Sequence, residues 1–128
     1  MITDAIRQAQ KMHRKALEAT YDGVCAVYEK ESSKDPYTKV TSQKEVAVIR
    51  NEPCHLSYSS DSAASGTDTV TNVAQTIKLF LAPEKEIKPG SRIEVTQHGR
   101  TENYSQSGKA AVYSTHQEIV LELFRGYA

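Results

Sequence analysis

The sequence predicts a mainly β protein: a small antiparallel β-barrel or sandwich with one N-terminal α-helix and a long mobile loop. Three observations carry that expectation. Apolar residues recur at spacings of three and four over residues 1–20. From Val24 onward the period changes to two, in short runs separated by Gly and Pro turn signals. One tract, Ser59 to Asn72, has no aromatic and no basic residue, and Val70 is its one strongly apolar member.

The helix comes first. Ile2, Ala5, Ile6, Ala9, Met12, Ala16 and Leu17 form its apolar stripe, and Thr3 or Asp4 can cap its start by accepting from orphan amides. Arg7, Lys11, Arg14 and Lys15 lie opposite, as a solvated face or a partner-binding one. Asp22-Gly23 ends the pattern.

Val24 to Lys30 reads as a strand, "ESSKDPY" as a turn signalled by Asp35-Pro36, and Lys44 to Arg50 as the next strand. "NEP" interrupts, because Pro53 has no amide for a central ladder. "CHLSYSS" alternates Cys54, Leu56 and Tyr58 against His55, Ser57 and Ser59. After the polar tract, Val73, Gln75, Ile77, Leu79 and Leu81 alternate along "VAQTIKLFLA". Pro89-Gly90 is a tight turn into the strand of Ile93 and Val95, since Pro presets φ and Gly accepts φ > 0. His98-Gly99 and Ser107-Gly108 mark further turns. "KAAVYS" and "EIVLELF" close the chain as strands, the latter with Ile119, Leu121 and Leu123 on one side.

The chain has 128 residues, which suits one domain: the helix at 1–20 and a β-domain at 21–128 whose loop spans 59–72. Lys and Arg number 16, as do Asp and Glu, so net charge gives no basis for general polyanion binding. A mean hydropathy of −0.55 implies a modest core. No run approaches the roughly 20 apolar residues that span a bilayer. The first twenty residues lack the apolar centre of a secretory signal. Cytoplasm is the expected compartment, with no membrane partner. Cys25 and Cys54 are not in a CxxC and read as buried free thiols.

The residues point away from catalysis. His13, His55, His98 and His116 match no zinc spacing, and no nucleophile elbow, P-loop or dinucleotide fingerprint occurs. Cys54 and His55 are neighbours on a strand and so face opposite ways. Glu84, Glu86, Glu118 and Glu122 read as exposed carboxylates. The expectation is therefore no enzyme, with no catalytic, cofactor-binding or metal residues. Seven tyrosines on short strands keep an oligonucleotide-binding barrel open as an alternative.

The C-terminal half carries distinctive motifs. Ile87, Pro89, Gly90, Ser91 and Ile93 form an I-x-PG-S-x-I turn into a strand. Tyr104, Ser107 and Gly108 follow, then Tyr113, His116, Gln117, Glu118 and Ile119 as Y-x-x-H-Q-E-I. In these features the chain resembles the head-completion proteins of tailed phages and prophages, also called head-closure or stopper proteins. It is most similar to small connector proteins of phage-like prophage elements in Gram-positive bacteria. The resemblance implies a structural protein without cofactor, located in the virion at the head–tail interface and in the host cytoplasm during assembly. It implies a homo-oligomeric ring of six or twelve copies. The ring's partners would be the portal or adaptor on one side and the tail terminator or tail tube on the other. Packaged DNA would be met only by closing its channel.

The polar tract then reads as the channel-closing loop, with Asp61, Ser65, Gly66, Asp68 and Thr69 as candidates. Small polar residues stay mobile in one copy and become ordered where several converge. The other reading is a hairpin tip without a role. The helix face Arg7, Lys11, Arg14 and Lys15 becomes a candidate docking surface for an acidic partner. His116 either contacts a neighbour or satisfies a loop carbonyl. A different virion ring protein, an adaptor or tail terminator, is a further alternative, although those have more helix.

Overall fold

The computed structural model describes residues 3–62 and 73–127. Among these are α1 (Asp4–Glu18), β1 (Gly23–Lys34), β2 (Thr41–Ser62), β3 (Val73–Leu81), β4 (Arg92–Gln97), β5 (Arg100–Gln106), β6 (Ala111–Val112) and β7 (Gln117–Leu123). All pairings are antiparallel, in the order β3-β2-β1-β4-β5-β7-β6, and β3 also pairs with β7. Six strands therefore form a closed ring of hydrogen bonds, with β6 attached outside β7. The expected mainly β architecture with one N-terminal helix is the one observed. Closure matters because it pairs strand edges that would otherwise template aggregation.

The core lies inside the ring and follows the period of two. Cys25 and Val27 of β1, Cys54 and Leu56 of β2, and Leu79 and Leu81 of β3 all point inward. Ile93 and Val95 of β4, Tyr104 of β5, and Ile119 and Leu121 of β7 complete it, with Ile87 packed from the β3–β4 connection. Each fully buried Leu, Ile or Val contributes on the order of 1.5–3 kcal/mol. Leu123 departs from the expected inward set: it lies past the interior and is exposed.

The turn chemistry is local. Thr3 caps α1, its Oγ1 accepting from Ile6 N at 3.3 Å. His98 (φ 53°) and Gly99 (φ 76°) make the two-residue β4–β5 turn, whose left-handed backbone matches the twist of paired strands. Ser91 N donates to Lys88 O at 3.2 Å around Pro89-Gly90, with Gly90 at φ 86°.

Four expectations on boundaries are corrected. "NEP" does not interrupt: β2 runs through it as one strand. Cys25 faces Glu52 and Val27 faces Ile49, so Arg50 and Asn51 together oppose Ala26 as a bulge. Asn51 takes φ 50°, which Asn tolerates. The extra residue lets Cys54 and Ile49 both face the core. Pro53 falls where β2 has β1 on one flank and no strand on the other, since the β3 ladder begins at Cys54↔Leu81.

The turn expected at 31–37 is also shorter. β1 continues to Lys34 and the connection occupies only residues 35–40. "KAAVYS" contributes two strand residues, Ala111 and Val112. Finally, residues 59–62, including Asp61, belong to β2 and pair with Thr76, Gln75, Ala74 and Val73. Backbone ladders need no apolar side chain, so polarity alone misplaced this boundary. The rest of the expected loop, with Ser65, Gly66, Asp68 and Thr69, lies outside the described residues.

Candidate functional site

Two ribbons leave the ring. The first is the far half of the β1–β2 hairpin. β4 pairs with β1 only from Gly23 to Tyr28, so Glu29–Lys34 and Thr41–Val46 have only each other. Every residue from Lys30 to Glu45 is exposed. Cross-strand pairs Lys30↔Glu45 and Glu31↔Lys44 set opposite charges face to face. At the tip, Asp35 Oδ1 accepts from Tyr37 N at 2.8 Å and Thr38 N at 3.4 Å. Those bonds hold the Asp35 carboxyl below its ordinary value.

This arm has a fixed root. Arg92 of β4 donates to Glu45 through Nε (3.0 Å) and Nη2 (2.6 Å), and through Nη1 to Asn103 Oδ1 (2.6 Å). Its guanidinium lies 4.1 Å from the Tyr28 ring centroid. The Tyr127 hydroxyl donates to Glu45 Oε2 at 2.6 Å, and Lys30 Nζ sits 5.0 Å from the Tyr127 ring centroid. Arg92 first, then Tyr127, pull the Glu45 carboxyl down to about 2, and Glu45 in turn raises Arg92.

The second ribbon is the β2–β3 hairpin beyond Tyr58↔Ile77, the last rung at which β3 also pairs with β7. It leads to residues 63–72. Between it and the β4–β5 hairpin lies a cleft of about 680 Å³, with Tyr58, Tyr104, Gln97, His98 and Arg100 among its walls. Burial and the neighbouring Tyr58 hydroxyl push the Tyr104 phenol up to about 12.

Two glutamines finish the interior. Gln97 Oε1 accepts from Leu56 N at 2.8 Å, and its Nε2 donates to Leu56 O at 3.2 Å. The side chain thus pairs with β2 just past Cys54, where the β1 ladder ends. Gly23 makes room: a Cβ there would sit 3.0 Å from Gln97 Oε1 and 3.1 Å from Cys54 O. Gln117 Nε2 donates to Ala82 O at 2.8 Å and also to Lys85 O, holding the β3–β4 connection.

Beside Gly23, the Asp22 carboxylate accepts from His55 Nδ1 at 2.9 Å and from His98 Nε2 at 2.5 Å. The His55 bond is the larger cause of its lowered pKa. Among the described residues no set of three or more His, Cys, Asp and Glu side chains converges as a metal centre would.

The helix α1 reaches the β3–β4 connection through Arg14. Gln10, Arg14, Leu17 and Glu18 are half-buried, and none of its described residues is buried. Arg14 Nη2 donates to Glu84 Oε1, and its Nε to Glu18 Oε1, both at 2.6 Å. Glu84 is lowered and Arg14 raised by this contact. Ile6 and Met12 stay exposed on the apolar stripe. Between α1 and the β6–β7 turn runs a groove of about 460 Å³ lined by Ile6, Ala9, His13, Tyr113 and His116.

The structure distributes the sequence candidates unevenly. Arg7, Lys11 and Lys15 remain exposed together, whereas Arg14 is occupied by Glu18 and Glu84. Tyr113, His116 and Glu118 form one cluster. Tyr113 stacks on His116 at 4.9 Å between centroids, and His116 on Phe80 at 5.6 Å. His116 Nε2 meets Glu118 Oε2 at 2.9 Å and Nδ1 meets Thr115 Oγ1 at 3.0 Å. The carbonyl expected to satisfy His116 is thus replaced by a carboxylate and a hydroxyl. Pro89, Gly90 and Gly108 shape turns, and Ile93 is core.

The arm, its Arg92 root and the Asp22–His55–His98 cluster were not anticipated. One signal for the arm was present: "KESSK" and "TSQKE" flank Asp35-Pro36 with opposite charges in mirrored order.

No family model matches the chain. No curated protein matches it in sequence. Among solved structures, the chain is similar to the protein xkdH of the phage-like element PBSX from Bacillus subtilis, with a TM-score of 0.46 and 11% identity over 78% of this chain and 91% of that one.

Proposed function

We propose that this protein is a structural head–tail connector subunit of a tailed phage or prophage. Copies would form a ring below the portal or adaptor, close the DNA exit channel and offer a docking surface to the tail. The observation that carries this reading is a closed strand ring with two ribbons leaving it, one of which runs into the polar tract 63–72. A rigid body with projecting ribbons suits a part whose work is contact. The motif resemblance supports it: Pro89-Gly90 and Gly108 sit at turns, and Tyr113 and His116 of the β6–β7 turn cluster with Glu118 at the start of β7.

In this reading the ring supplies position and the tract supplies closure. Small polar residues from several copies would meet at the axis, and contacts between copies would stabilise the assembled state. Electron microscopy of particles from the source phage or induced prophage, with this gene disrupted, tests it. Separate full-length tails beside emptied heads are expected. Intact, tailed, DNA-filled particles would overturn it.

The Tyr58–Tyr104 cleft beside Arg100 favours a second reading, an oligonucleotide-binding module. Binding of short single strands that weakens steeply with salt would select it.

A further inference from the structure

Two features of this chain present apolar surface to solvent. The arm ends in Tyr37, 94% exposed, beside Val40, 61% exposed. Asp35 orders that tip through two side-chain bonds and its backbone bonds to Val40 and Lys39, at 3.0 and 2.8 Å. The Arg92–Glu45 bonds hold the shaft. An aromatic presented on an ordered tip loses little entropy on binding, and tyrosines are enriched among residues that dominate interfaces. Meanwhile the groove between α1 and the β6–β7 turn exposes Ile6, Ala9 and Tyr113, and Tyr37 of the same chain is too exposed to be filling it.

We infer that the arm tip, led by Tyr37, seats in the groove between α1 and the β6–β7 turn of a second copy of this chain. The occupant is a second copy because one chain carries both an ordered apolar projection and an apolar groove. A contact between different surfaces of identical chains is head-to-tail, and its repetition closes a ring when the rotation allows. The groove, about 460 Å³, is shallow and mainly apolar, so it offers a face to an aromatic ring and does not enclose it. The contact also gives a role to the exposed part of the α1 apolar stripe, Ile6, Ala9 and Met12. This inference rests on the ring reading above and names the self-contact that ring would use.

Disulfide trapping tests it on the full chain. Tyr37→Cys and Ala9→Cys replace exposed residues, while Cys25 and Cys54 are 1% and 0% exposed and escape mild oxidation. Mixing the two variants at millimolar concentration should give a cross-linked pair, and the double variant a ladder of multimers. Ser33→Cys on the arm shaft should not link to Ala9→Cys. Tyr37→Ser should weaken self-association roughly thirtyfold, as truncating a dominant interface aromatic does. Oligomers by light scattering that do not cross-link and tolerate Tyr37→Ser would overturn this contact and leave the ring reading standing. A chain that neither cross-links nor associates at millimolar concentration would overturn the contact and count against the ring.

Discussion

Arg92 grips Glu45 with two hydrogen bonds, Nε to Oε2 at 3.0 Å and Nη2 to Oε1 at 2.6 Å. One residue belongs to the closed ring and the other to the projecting arm. This pair turns a two-stranded ribbon, marginal by itself in water, into an extension of the ring.

Arg92→Ala should therefore loosen the arm selectively. A charged pair at a partly exposed site contributes about 1 kcal/mol. Hydrogen exchange should accelerate at the rungs from Lys30↔Glu45 to Lys34↔Thr41 while the amides of Ile93 and Leu79 keep their protection. Uniform acceleration across both sets would show that Arg92 supports the whole ring instead.

The same pair makes a pH prediction. Glu45 falls from 4.5 to about 2 because Arg92 and Tyr127 bond its ionised form. A depressed carboxyl adds stability above its unfolded value, and that stability is lost as pH falls through the folded one. The Glu45 contribution should thus be complete above pH 4.5 and disappear towards pH 2. NMR titration of the Glu45 side chain checks it; a midpoint near 4.5 would mean the arm root is open in solution.

Gln97→Met should cost about 2–4 kcal/mol, since it strips partners from the buried Leu56 N and O. Gly23→Ala should destabilise as well, because the new methyl meets Gln97 Oε1 at 3.0 Å and backbone oxygens close behind it. Chemical denaturation of the two single variants and the double variant should show coupling, since both act on the same end of the β1–β2 ladder.

Removing residues 1–20 should change ring stability by only about 1 kcal/mol, the scale of the partly exposed Arg14–Glu84 pair it deletes. The thermal midpoint should hold while incorporation into particles drops. A truncated chain that enters particles normally would exclude α1 from docking.

Cys25 should resist alkylation until the chain unfolds. The adjacent Cys54 thiol and burial push its pKa up, leaving little thiolate. Labelling by iodoacetamide in step with unfolding would match; rapid labelling in buffer would not.

Periodicity and turn chemistry determined much of this protein locally. The Thr3 cap, the Pro89-Gly90 and His98-Gly99 turns, and the inward sets Leu79/Leu81, Ile93/Val95 and Ile119/Leu121 were all legible, because each depends on a few neighbouring residues. Tertiary structure alone decided what those segments join. The Asn51 bulge carries β2 past Pro53 without turning its core residues outward, and no single-strand pattern encodes the partner that makes a bulge tolerable. The meeting of Arg92 with Glu45, of Asp22 with His55 and His98, and of Gln97 with Leu56 each requires strands distant in sequence to be adjacent in the ring. The polar ends of β1 and β2 form strands for the same reason: their hydrogen bonds come from the opposite strand, and side-chain hydropathy says nothing about where that strand lies.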